Sequence, residues 1–133
     1  SVSKKGTLRG LHFQKKHAQG KLITVLEGEI FDVALDLRPS SKTFGRVYTV
    51  SLSADDLSQV YIPEGMAHGF LTLSPVARVF YRCTDFYYPD DEAGILFNDA
   101  NLGIRWPEVG ELTVSEKDRR AQTFFEWRQS VGL

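Results

Sequence analysis

The feature that most constrains the fold is alternation. In KLITVLEGEIFDVALDLR (residues 21–38), Phe31, Val33, Leu35 and Leu37 fall on one side of an extended chain. Asp32, Ala34 and Asp36 fall on the other. A period of two fits a strand and does not fit a helix. A turn near Glu27-Gly28 divides this stretch into two strands. GRVYTVSLS, SQVYIP, GFLTLS and ARVFYRCT continue the pattern. They are separated by RPSSKTFG, ADDL, PEGMAH and SPV, which carry Pro, Gly, Asp and Ser turn chemistry. Strands recurring every ~8–12 residues predict a β-sandwich or barrel rather than alternating β and α. Only SEKDRRAQTFFEWRQ (residues 115–129) reads as helical, with Ser115 as its N-cap and Asp118 three positions on. The expectation is an antiparallel jelly roll or barrel with a short helical C-terminal segment.

The chain's 133 residues are one domain's worth, residues 1–133 throughout. A core of that size folds without disulfide or metal. The single cysteine, Cys83, rules out an intrachain disulfide and fits a reducing compartment. The net charge of −1 argues against a general nucleic-acid binder. No apolar run approaches the ~18 residues of a membrane span. The polar start SVSKKGTLRG lacks a signal peptide's apolar region, and without an initiator Met it reads as trimmed. These features predict a cytoplasmic protein with no membrane partner.

The candidate chemistry begins in LRGLHFQ (residues 8–14). Strict alternation puts Leu8, Gly10, His12 and Gln14 on one face and Arg9, Leu11 and Phe13 on the other. Histidine titrates near neutrality, so His12 and His68 are candidate general bases, or else hydrogen-bonded structural residues. His17, in the polar loop QKKHAQG, reads as solvated. The pattern H-x-Q with P-E-G-x-x-H is similar to the two cupin motifs. Gln14 stands where metal-binding cupins carry a second histidine, and lysines follow where a carboxylate is usual. Two histidines are too few for a good metal site, so no metal is expected. Lys21 could stabilise an oxyanion or be an edge lysine. Tyr81, on a face with Val79 and Cys83, could donate a proton or pack across strands. Asp118 could be functional or complete a capping box. Arg9 could meet a phosphate, while Lys15 and Lys16 read as rim charges. The aromatics of DFYYP (residues 85–89) suit core or interface packing, with a ligand ring as the alternative.

In order, LRGLHFQ, QGKL, GEIFDVALDLR, TFG, IPEGMAHGF, YYPDDEAGILFND, LGIRWP and SEKD closely resemble the dTDP-4-dehydrorhamnose 3,5-epimerases, over residues 7–118. The resemblance implies a cupin-type jelly roll, or double-stranded β-helix barrel. It also implies an isomerase inverting C3 and C5 of a nucleotide-diphospho-4-keto-6-deoxy sugar, with no cofactor. His12 matches the base, Asp118 the carboxylate that holds it, Lys21 the enolate-stabilising lysine and Tyr81 the opposite-face proton donor. Arg9, Gln14 and His68 fall among the substrate-binding positions. The resemblance further implies a homodimer, and a segment ahead of LRGLHFQ that reaches the partner subunit and its ligand site. Phe97 replaces a common tryptophan, and SEKDRRAQ lacks a proline usual after the aspartate. A single-carbon epimerase, a metal-dependent cupin oxygenase or isomerase, and a non-catalytic sugar-nucleotide binding module are the competing readings.

Overall fold

The alternating segments become strands at nearly the expected places. The computed structural model describes residues 1–133. Its elements are β1 (Val2–Lys4), β2 (Thr7–Gln14), β3 (Lys21–Glu27), β4 (Glu29–Asp36), β5 (Val47–Ser53), β6 (Gln59–Ile62), β7 (Met66–Thr72), β8 (Val76–Cys83), β9 (Glu92–Gly94), β10 (Thr113–Val114), α1 (Glu116–Arg119) and α2 (Phe124–Ser130). A four-stranded sheet runs β1-β8-β3-β6. A six-stranded sheet runs β10-β2-β7-β4-β5, with β9 also on β2. β3 and β4 adjoin in sequence yet belong to opposite sheets, so the turn at Gly28 is a corner of the jelly roll and not a hairpin.

Facing side chains fill the space between the sheets. Ile23, Val25, Ala77, Val79 and Ile62 from the smaller sheet meet Ile30, Ala34, Leu52, Met66 and Phe70 from the larger. Each large apolar side chain so buried contributes about 1.5–3 kcal/mol. The other side of the six-stranded sheet is also covered. There Leu11, Val33, Leu35, Leu37 and Ala67 pack with Ile95 and Trp127 of the C-terminal segment. Both faces of β4 are therefore buried. Asp32, on the face that reads as polar in the sequence, points into the barrel and is 2% exposed.

The helical segment forms, but in two pieces. Ser115 Oγ accepts from the Asp118 N–H and starts α1. The chain then leaves the helix so that Gln122 can pair with Ile95 and accept from the Leu96 N–H. Thr123 restarts it as α2 through a reciprocal capping box with Glu126. The second cap is what divides the single helix expected over residues 115–129.

Candidate active site

β2 supplies the first groups, and it breaks strict alternation. Its register against β7 shifts between Arg9 and His12. Gly10 sits at the shift with φ +111, and a Cβ there would lie 2.6 Å from the His68 carbonyl oxygen. Only glycine fits that conformation and that approach of two backbones. The irregularity corrects the face assignment made from alternation. Arg9 and His12 line the same cavities, while Leu8 and Leu11 enter separate apolar clusters.

Two histidine–aspartate pairs stand side by side. His12 and His68 are cross-strand partners on β2 and β7. His12 Nε2 lies 2.6 Å from Asp118 Oδ1. The other oxygen of Asp118 accepts from the Gly10 N–H at 3.1 Å. The helix start is capped by the Ser115 hydroxyl, which leaves the Asp118 carboxylate for His12 and Gly10. Burial pushes the Asp118 carboxyl up, yet the hydrogen bonds from His12 and Gly10 outweigh it and hold the group below its ordinary value. An ionised carboxylate on Nε2 fixes the tautomer with Nε2–H, which leaves Nδ1 as the free basic nitrogen. His68 Nε2 makes a matching 2.6 Å contact with Asp32 Oδ1, deep in the barrel.

The opposite wall comes from β3 and β8. Lys21 continues the interior row of Ile23 and Val25, and Tyr81 that of Ala77 and Val79. Lys21 lies beside Cys83 in the ladder. Burial lowers its ammonium pKa below the ordinary value, opposed by Cys83, Glu92 and Asp32. Burial, and then Asp32, push the Tyr81 hydroxyl well up, so it stays protonated. The Tyr81 ring meets His68 edge-on at 6.2 Å. These groups line a cavity of about 260 Å³, with Gln19, Tyr87 and Glu92 at its mouth. A polar groove of about 400 Å³ shares Arg9, His12 and Glu92 with it and adds Thr113, Ser115, Lys117 and Asp118. Lys117 pairs with Glu92. A third hollow of about 390 Å³, by β5 and β6, is mainly apolar and carries neither histidine nor lysine. No three His, Cys, Asp or Glu side chains converge in a metal-holding arrangement.

The sequence profile of the dTDP-4-dehydrorhamnose 3,5-epimerases matches residues 1–126. The chain belongs to this family. It is 51% identical over 121 residues to the dTDP-4-dehydrorhamnose 3,5-epimerase of Methanothermobacter thermautotrophicus, covering 90% of this chain and 65% of that protein. The crystal structure of the Elizabethkingia anophelis dTDP-4-dehydrorhamnose 3,5-epimerase matches with 48% identity and a TM-score of 0.92, over 95% of this chain and 70% of the other. The dTDP-6-deoxy-D-glucose-3,5-epimerase of Legionella pneumophila, solved with dTDP-4-keto-L-rhamnose, matches with 48% identity and a TM-score of 0.90 over 92% and 65%. The barrel is thus a cupin-type jelly roll. The chain spans just under two thirds of the first of these relatives.

Of the residues singled out from the epimerase resemblance, the fold gathers Arg9, His12, Lys21, His68 and Tyr81 around one cavity, with Asp118 behind His12. Gln14 is the exception. It is buried outside that cavity, and its amide is spent on the backbone. Its Nε2 donates to the carbonyls of His17 and Phe86, and its Oε1 accepts from the Tyr88 N–H. Its head group ties β2 to the neighbouring loops, apart from the cavity that the other residues share. The aromatics of DFYYP are not core residues, which leaves the interface and ligand-ring readings. Phe86 and Tyr87 are 78% and 61% exposed, and Tyr87 stands at the mouth. Sequence reasoning missed Asp32 and Glu92. An aspartate between Ile30 and Ala34 on an interior row was the available signal for Asp32.

Proposed function

We propose that the chain is an epimerase acting at C3 and C5 of dTDP-4-dehydro-6-deoxyglucose, yielding dTDP-4-dehydrorhamnose. The observation that carries this reading is the carboxylate-held His12 across one cavity from Lys21 and Tyr81. The C4 ketone of such a sugar acidifies the hydrogens on both neighbouring carbons. His12 Nδ1 takes the proton, and the C–H electron pair moves into the ring to give an enolate at O4. Asp118 stabilises the imidazolium. The Lys21 ammonium faces the enolate oxygen. Tyr81 returns a proton to the opposite face of the carbon, which inverts it. Both proton carriers then exchange with water. A base contributes about 10²–10⁴-fold and an oxyanion donor about 10²–10³-fold, so neither group alone suffices. Arg9 and His68 serve in substrate binding.

The same reading makes residues 1–133 one cupin-like domain, working in the cytoplasm as a homodimer. Cys83 is a free thiol, and no helix is long and apolar enough to cross a membrane. The outer face of the four-stranded sheet exposes Val2, Leu26, Tyr61 and Phe80, an apolar surface suited to a second copy. Sedimentation equilibrium tests the dimer, and a concentration-independent monomer mass would refute it.

Incubation with dTDP-4-dehydro-6-deoxyglucose in D2O tests the activity. The expected result is deuterium at C3 and C5, abolished in His12→Ala. Deuterium at C3 alone would restrict the activity to one carbon. No incorporation would refute the reading.

A further inference from the structure

Two loops at the cavity mouth are fastened together by contacts that the proton-transfer chemistry does not use. The first is residues 14–20, which leads into Lys21. The second is residues 84–91, which carries Tyr87 and leads into Glu92. Phe86 and Tyr87 are exposed, so this second loop has little apolar burial of its own to order it. Polar contacts hold it instead. Beyond the two bonds that the Gln14 amide makes with Phe86 and Tyr88, Gln19 Nε2 donates to the Asp85 carbonyl at 2.9 Å. Gly20 N–H donates to Thr84 Oγ1 at 2.8 Å. The Asp91 carboxylate, itself 8% exposed, accepts from the Lys16 N–H at 2.9 Å and the His17 N–H at 2.8 Å.

His17 closes this arrangement. Its ring stacks on Tyr88 with centroids 4.1 Å apart and planes at 27°. Its Nδ1 lies 3.5 Å from Asp91 Oδ2. One side chain of the first loop thus grips the second loop at two points, on either side of Pro89-Asp90. Tyr88 is the immediate neighbour of Tyr87, so holding the Tyr88 ring restrains the backbone that carries Tyr87 to the cavity mouth.

We infer that His17, seated on Tyr88 and Asp91, is a positioning residue that holds Tyr87 at the cavity mouth and so tightens substrate binding. This rests on the reading that the cavity takes a nucleotide sugar. His17 touches none of the groups assigned to proton transfer, so its loss weakens binding and spares the chemical step.

The experiment compares the wild type with His17→Ala and His17→Phe, the latter keeping a flat ring for Tyr88. Two readouts are taken: the rate of chymotrypsin nicking after Phe86 or Tyr87 without ligand, and steady-state kinetics on dTDP-4-dehydro-6-deoxyglucose. In His17→Ala, nicking accelerates and KM rises, each by about threefold to tenfold as expected for one lost aromatic stack, while kcat stays within about twofold. His17→Phe recovers at least half of both effects. Unchanged nicking and KM in His17→Ala would overturn the inference. So would a fall in kcat at constant KM, or a Phe variant as impaired as the Ala variant. If the wild type does not turn over that sugar nucleotide, the functional reading fails. The nicking rates then still decide whether His17 holds the loop.

Discussion

Replacing Asp118 by asparagine removes one charge and keeps the number of heavy atoms, so its effect can be worked from the geometry. With charge centres about 4 Å apart and an effective dielectric of about 20, an imidazolium–carboxylate pair gains about 4 kcal/mol. The His12 side chain is 29% exposed, so solvent takes part of this. Reducing the figure to about 3 kcal/mol is reasonable, which corresponds to about 10²-fold in rate. Asparagine also sets the wrong tautomer. Its carbonyl is drawn to the Gly10 N–H, which the second oxygen of Asp118 serves now. That turns its NH2 toward His12 Nε2, so Nε2 must accept and Nδ1 carries the proton. A base with its proton already in place costs roughly another factor of ten. Asp118→Asn should therefore lower kcat about 10²–10³-fold, with about 1 kcal/mol lost in unfolding free energy because the Gly10 contact survives. Single-turnover deuterium exchange at C3 and C5 measures the first quantity, and urea unfolding followed by far-UV circular dichroism the second. Exchange at more than half the wild-type rate would refute the argument and reduce Asp118 to a residue of the helix start.

The remaining predictions concern the opposite wall, the backbone and the acid limb. Lys21→Ala should cost about 10²–10³-fold in kcat. Because burial lowers the Lys21 pKa, its ammonium is lost below the ordinary 10.5, and the alkaline limb of kcat/KM should fall below that pH. Lys21→Arg keeps its charge, so an unmoved limb in that variant would assign the limb to another group. Gly10→Ala should cost more than about 2 kcal/mol in urea unfolding, since the added Cβ meets a backbone oxygen at a positive φ. Asp36 is fully buried and accepts from Arg38, Ser41 and Thr43. Arg38 is 41% exposed, which discounts the pair, so Asp36→Asn should cost about 2–3 kcal/mol. The Arg38 hydrogen bond holds the Asp36 carboxyl well below its ordinary 3.8. Its contribution is thus complete above pH 3.8 and drains away as pH falls toward the folded-state value. A wild type and Asp36→Asn pair whose difference in stability does not shrink on acidification would refute this.

Alternation made the strands legible, and with them the interior placement of Lys21 and Tyr81. It failed where the chain stopped alternating or where a second layer covered a face. Arg9 joins His12 only because of the shift at Gly10, and nothing in LRGLHFQ marks a bulge except that glycine. Asp32 was obscured because a strand with one wet face and a strand buried on both faces differ little when the second face holds Asp, Ala and Asp. Gln14 lay beyond local reasoning altogether, since two of its three amide contacts are with residues 72 and 74 positions away. The two-part helix turned on whether Thr123 is read as an interior residue or as a cap, and residue preferences alone leave that even.

His12 and its carboxylate are 106 positions apart in the chain, and Gly10 and that same carboxylate 108. The barrel strands between them can pair before residue 118 arrives. The proposed base and the carboxylate that holds it thus meet only through a long loop closure. Closing so long a loop brings no reward until the C-terminal turn docks on β2. Under the proposed function, turnover reports on that docking. On that reading, a molecule in which Asp118 has not reached His12 holds a histidine of unfixed tautomer and does little chemistry, so turnover per molecule counts only the chains that have made this contact.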